Sequence, residues 1–138
     1  MTTVGDWLSA AERRLRKAKV PHPSRDALLL ASHVLGRDKA RILAHPEAPL
    51  ERSRADELEG LLKRRARREP LQYIRGVHEF WGLPVLVGRG CLIPRPETEH
   101  LVEATLEALR TVKAPRILEG GTGAGCLLLA LAKERPDA

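Results

Sequence analysis

The sequence predicts an α-helical bundle followed by the opening of an α/β domain, and three observations carry that prediction. Apolar residues recur at three- and four-residue steps through residues 1–70. After Pro70 the pattern breaks into short extended pieces punctuated by glycine. Near the carboxyl end, Arg116-Ile117-Leu118 reads as a strand, Glu119-Gly120-Gly121-Thr122-Gly123-Ala124-Gly125 as a tight turn, and Cys126 to Lys133 as a helix. The expected division is 1–70 bundle, 71–94 hairpin linker and 95–138 the start of an α/β domain.

From Thr3 to about Lys19, Val4, Trp7, Leu8, Ala11, Leu15 and Ala18 form one helical stripe, which Val20-Pro21-His22-Pro23 ends. Ser24 is the expected N-cap of a second helix through Leu35, with Gly36 as its stop. A shorter helix spans Lys39 to Ala44. A longer one runs from about Leu50 to Arg68, turning Ala55, Leu58, Leu61 and Leu62 inward, until Pro70 breaks it. Leu71 to Gly76 is a turn or short helix. Val77 to Trp81 and Leu83 to Val87 are expected strands around Gly82, with Pro84 weakening the second, and Cys91-Leu92-Ile93 is a third extended piece. Pro96-Glu97-Thr98-Glu99 then opens a helix whose apolar face is Leu101, Val102, Thr105, Leu106 and Leu109.

Composition narrows the function classes. With 43% hydrophobic and 30% charged residues among 138, the chain is globular, and with 3% aromatics its cores are built from Leu, Ala and Val. No apolar run reaches the roughly 18 to 20 residues of a membrane helix, and the amino terminus lacks a signal-peptide pattern, so a cytoplasmic protein without membrane contact is expected. Cys91 and Cys126 form no CxxC pair and the five histidines show no ligand spacing, so no metal site is expected.

The net charge of +6 comes entirely from residues 1–70, and its densest part is Lys63, Arg64, Arg65, Arg67 and Arg68. That cluster is either a solvated helix end favoured by the C-terminal dipole or a surface for an acidic partner. Without interleaved aromatics it is weak support for nucleic-acid binding.

The glycine turn is the candidate cofactor site. Glycine tolerates positive φ and lets backbone lie against a ligand, while a helix N-terminus offers unpaired N–H groups. The spacing from Gly121 is G-x-G-x-G, which fits neither the dinucleotide fingerprint nor a phosphate-binding P-loop. The form acid-x-G-x-G-x-G is similar to the first motif of S-adenosylmethionine-dependent methyltransferases. There an acid at the strand end attracts the cofactor's ammonium group.

The linker sharpens this. Pro70-Leu71-Gln72-Tyr73-Ile74-Arg75-Gly76, Phe80-Trp81-Gly82-Leu83 and Leu92-Ile93-Pro94-Arg95-Pro96-Glu97-Thr98-Glu99 closely resemble the HemK/PrmC family of methyltransferases, which modify glutamine in peptide chain release factors. The resemblance covers essentially the whole chain. It implies a Rossmann-like S-adenosylmethionine-dependent domain and methyl transfer to a glutamine side-chain amide. Glu119, Gly121, Thr122, Gly123, Ala124 and Gly125 would bind the cofactor, and Arg95, Pro96, Glu97 and Thr98 would frame the substrate side; that acidic turn reads equally as a helix cap. The family's bundle helps recognise the release factor, which makes the basic face ending at Arg68 a candidate docking surface.

Glu119, Gly120 and Ala124 depart from the family's usual Asp, Leu and Ser or Thr. The family's ribose-binding acid and its N-P-P-Y motif, which holds the glutamine amide, find no counterpart before Ala138. Because a parallel strand needs neighbours, the chain is expected to be the amino-terminal part of a longer protein and inactive alone, with its catalytic residues beyond Ala138. Two other readings remain: a non-catalytic protein- or ribosome-binding module, and a related amino- or nucleic-acid methyltransferase.

Overall fold

A computed structural model describes residues 2–138 and divides them into two units, the first closing at Arg75 and the second spanning Gly76–Ala138. The first is helical: α1 Val4–Lys17, α2 Pro23–Leu35, α3 Lys39–Ala44, α4 Arg52–Ala66 and α5 Leu71–Arg75. Thr3 starts α1 with a capping box. Its hydroxyl accepts the Asp6 N–H at 3.1 Å and its own N–H donates to Asp6 Oδ2 at 3.0 Å. These Thr3 donors, the backbone one first, hold the Asp6 carboxyl below its ordinary range.

Helices α1 and α4 stop before their prolines, each through a Schellman turn. Val20 N–H reaches Leu15 O and Lys19 N–H reaches Arg16 O, with Lys19 at φ 55°. In the second turn, Glu69 N–H reaches Arg64 O and Arg68 N–H reaches Arg65 O, with Arg68 at φ 66°. Each turn therefore holds a cationic residue where glycine is usual.

Two helix starts differ from expectation. Ser24 does not cap α2, because Pro23 occupies its first turn and His22 is the N-cap, without a side-chain bond; proline's fixed φ and missing N–H suit that place. Leu50 lies outside α4, since its N–H donates to Thr2 O beside a Thr3–Pro49 bridge. Gly36, at φ 61°, ends α2 as expected.

Apart from Trp7 the buried core of the bundle is aliphatic, with Ala11, Leu15, Leu30, Ala31 and Leu58 fully enclosed. One charge pair lies at its edge. Arg65 Nε donates to Asp26 Oδ2 at 2.7 Å, with the two side chains 15% and 9% exposed, and Arg65 Nη1 donates to Glu69 O at 2.9 Å. A single guanidinium thus ties the first turn of α2 to the exit of α4.

In the second unit, β1 Val77–Phe80 pairs antiparallel with β2 Leu83–Leu86, in a register running from Val77↔Leu86 to Phe80↔Leu83. Both turn residues, Trp81 at φ 53° and Gly82 at φ 64°, are left-handed, which is the type I′ geometry of a two-residue hairpin. Pro84 is tolerated because its partner is Glu79, a non-hydrogen-bonded pair one step from the turn, so its missing N–H faces the sheet edge. Cys91 to Ile93 is not a strand; it continues a turn at Gly88. A 3-10 turn Pro96–Thr98 leads into α6 Glu99–Ala108, and α7 spans Cys126–Glu134. Phe80, Val85, Val102, Leu127, Ala130 and Leu131 make one core.

Ile117 and Leu118 pair with no strand among the described residues, and Leu118 is 97% exposed. The architecture shown is therefore mostly helical with one small antiparallel hairpin. No described helix is long and apolar enough to cross a membrane.

The loop before Ile117 is tied down from the end of α7. Arg135 donates to Leu109 O at 2.8 Å, to Val112 O at 2.7 Å and to Asp137, whose Oδ2 accepts the Ala114 N–H at 3.1 Å. The Arg135 hydrogen bond holds the Asp137 carboxyl far below its ordinary range.

Removing Asp26 strands a nearly buried guanidinium. Asp26→Ala should destabilise the bundle by about 3 kcal/mol in urea denaturation, whereas a loss below about 1 kcal/mol would mark the pair as solvent-screened.

Candidate cofactor site

The site is built at the start of α7. Burial of Cys126, Leu127, Ala130 and Leu131 holds that helix in the second unit's core, and this fixes where the preceding turn can lie. Gly121, Gly123 and Gly125 adopt φ of 75°, 53° and 72°, alternating left-handed positions that a side chain would strain. Gly125 N–H donates to Thr122 O at 2.7 Å and closes the turn. A Cβ added at Gly120, Gly121, Gly123 or Gly125 would meet nothing within 4 Å. Internal packing therefore does not demand these glycines, and the space over the turn is open to a ligand. Gly125 is the N-cap of α7 and provides no side-chain acceptor, so the helix presents uncapped N–H groups there.

Glu119 stands at the head of this turn. It is half-buried, and its Oε2 is enclosed with no hydrogen-bond partner. An enclosed carboxylate oxygen left unpaired is costly, so this atom calls for a donor that the described residues do not supply. The Cys126 thiol is pushed above its ordinary pKa by burial first. The Leu127 N–H opposes this shift, while the Glu119 charge adds to it.

The second set of expected site residues forms an exposed arch. Arg95, Pro96 and Glu97 face solvent, with Arg95 and Glu97 paired at 3.7 Å, and Thr98 N–H closes the 3-10 turn on Arg95 O at 3.0 Å. Pro94 before the arch is buried. Neither Arg95 nor Thr98 caps a helix through its side chain. No hydrogen bond or ion pair joins residues 95–98 to residues 119–125.

Sequence reasoning did not join Glu99 to Trp81, which the structure does. Glu99 Oε1 accepts the Trp81 N–H at 2.8 Å, Trp81 Nε1 donates to Glu134 Oε1 at 2.9 Å, and Lys133 Nζ reaches Trp81 O at 3.5 Å. The sequence carries no signal for this: the expected strands reach Trp81 and resume at Leu83, leaving Gly82 alone between them, whereas the observed turn takes in Trp81 at positive φ.

The basic cluster is divided in use. Arg64 makes a bidentate pair with Glu69 at 2.9 and 2.7 Å, Arg65 is committed to Asp26, and Lys63 sits 3.6 Å from Glu59. Arg67 and Arg68 remain exposed. No group of three or more potential metal-ligating His, Cys, Asp or Glu side chains occurs among the described residues.

A family model described as the PrmC N-terminal domain matches residues 6–76. The chain is similar to the release factor glutamine methyltransferase of Salmonella typhimurium, at 47% identity over 131 residues, covering 95% of this chain and 46% of that protein. The protein of the same name from Vibrio cholerae is 41% identical, covering 97% of this chain and 46% of the relative. That from Rhodospirillum rubrum is 43% identical, covering 98% and 41%. The chain thus spans about half the length of the curated relatives it matches.

The Cys126 environment offers a direct check on the turn. The residue is 8% exposed and its thiol has a raised pKa, so at pH 8 iodoacetamide should modify it on the order of tenfold or more slowly in the native protein than in urea. Equal rates would place the start of α7 in solvent.

Proposed function

The chain belongs to the family of the PrmC N-terminal domain, and on that premise we propose that the protein carrying it methylates a glutamine side-chain amide in a peptide chain release factor, using S-adenosylmethionine. The observation that carries the cofactor assignment is the enclosed, unpartnered Oε2 of Glu119 beside an open glycine turn. S-adenosylmethionine offers an ammonium group that suits that oxygen, and when bound it supplies an electrophilic methyl group on a positively charged sulfur. Glu119 accepts the ammonium N–H. Gly121, Thr122, Gly123, Ala124 and Gly125 form one backbone wall, and the uncapped start of α7 provides further donors.

Binding and orientation are the main tasks of such a site. A glutamine amide nitrogen is a poor nucleophile because its lone pair is delocalised into the carbonyl, so holding it in line with the methyl group accounts for most of the acceleration. Residues 95–138 begin the cofactor-binding domain, with Arg95, Pro96, Glu97 and Thr98 on the substrate side. Because the chain spans about half of its relatives, the groups that hold the glutamine amide are assigned to the remainder of the full-length protein. Residues 71–94 form the linker.

The bundle, residues 1–70, serves substrate recognition through its basic face. Since Arg64 and Arg65 are tied to Glu69 and Asp26, the docking charge falls on Arg67 and Arg68, with Lys63 secondary. Those two are solvent-exposed, and the bundle carries the chain's entire positive excess. This favours an acidic protein surface as partner.

The full-length protein, incubated with release factor and S-adenosylmethionine, should add the mass of one methyl group to a glutamine-bearing peptide. Transfer to nucleic acid instead, or to neither, would contradict the proposal. Arg67→Glu with Arg68→Glu should weaken release-factor binding at low salt by about tenfold, and unchanged affinity would reject the docking role.

A further inference from the structure

The Trp81–Gly82 turn is under strain and is held from three sides. Type I′ hairpins favour Asn or Gly at the first turn position, yet this one has tryptophan at φ 53°. A bulky residue in the left-handed region persists only where its surroundings over-determine it. Here the backbone N–H is taken by Glu99, the indole N–H by Glu134 and the carbonyl by Lys133. Glu99 is the first residue of α6, while Lys133 and Glu134 are the last turn of α7. The hairpin turn therefore fastens both helices at once.

What this clamp controls follows from what else holds each segment. The glycine turn is anchored by the buried face of α7, independently of Glu99. The arch Arg95–Thr98 has no such support. None of its residues is buried, and its one ion pair, between Arg95 and Glu97, is 3.7 Å long and exposed. It is held at its two ends, by buried Pro94 and by Glu99.

We propose that Glu99 is a positioning residue: by accepting the Trp81 N–H it sets the Arg95–Thr98 arch in the orientation that receives the protein substrate. This rests on the methyl-transfer reading above. The bond joins two segments, Phe80 to Leu83 and Ile93 to Glu99, that the sequence presents separately. The arch offers Arg95 and Glu97, opposite and weakly paired charges, to a polar peptide surface. Because the cofactor turn is fixed elsewhere, disturbing Glu99 moves the substrate side alone.

The test uses the full-length protein with Glu99→Ala, Glu99→Asp and Glu99→Gln. Gln keeps an acceptor oxygen at the same reach, Asp is one methylene short and Ala has none. Glu99→Ala and Glu99→Asp should raise KM for the release factor on the order of tenfold while KM for S-adenosylmethionine changes less than about twofold, and Glu99→Gln should restore the wild-type value. In a Trp7→Phe background, Trp81 emission should shift in the Ala and Asp variants and not in Gln. A fall in kcat with both KM values unchanged would mean only that less enzyme is folded, and would overturn the proposal. So would a Gln variant as defective as Ala. A wild-type protein that transfers no methyl group would overturn the reaction itself, and with it this role.

Discussion

Burial of Phe80 is the contact on which the site-bearing unit depends. It is the chain's only phenylalanine and is 1% exposed, in a core shared by the hairpin, by Val102 of α6 and by Leu127, Ala130 and Leu131 of α7. Fully burying such a side chain contributes about 2 to 3 kcal/mol, a large share of what so small an apolar core can supply. Its position next to the turn has a further effect. With Phe80 fixed inward, the two-residue gap to Leu83 favours the left-handed conformation that Trp81 adopts, because that turn matches the twist of the flanking strands. The polar clamp around Trp81 thus follows from an apolar anchor one residue earlier.

The bundle uses charge differently from what its composition suggests. Two of the five cations in the densest basic run are committed within the bundle, because Arg65 closes α2 against α4 and Arg64 grips Glu69. The two Schellman turns then place Lys19 and Arg68 at left-handed positions, and Arg68 Nη2 lies 3.5 Å from Lys19 O. The carboxyl ends of α1 and α4 are thereby drawn to one end of the bundle. Cations there suit the dipoles of both helices.

Much of this was legible in the sequence where a single local rule decides. Gly36 and the span Lys39–Ala44 were readable from stop signals and apolar spacing, as were the hairpin and the helix after the glycine turn. Ser24 misled because two capping rules competed and proline at the first position won. Leu50 was drawn out of α4 by a backbone partner at Thr2, which no local pattern contains. The strand at Ile117 and Leu118 was expected from its apolar run, but a ladder needs a neighbour and none is described. At the site, the glycines announced their conformation, whereas the Glu99–Trp81 bond joins residues 18 apart and shows no periodicity. The inward use of Arg65 was hidden for the same reason, since Asp26 lies 39 positions away.

The glycine turn and Glu119 together make the central claim, that an enclosed carboxylate and an open, uncapped helix start form part of an S-adenosylmethionine pocket. The most direct measurement is calorimetric titration of S-adenosylmethionine into the full-length protein and its Glu119→Ala variant. The account predicts one site in the wild-type protein and an affinity lower by on the order of tenfold or more in the variant, as loss of a charge-assisted hydrogen bond requires. Equal affinities, or no binding to the wild-type protein, would contradict it.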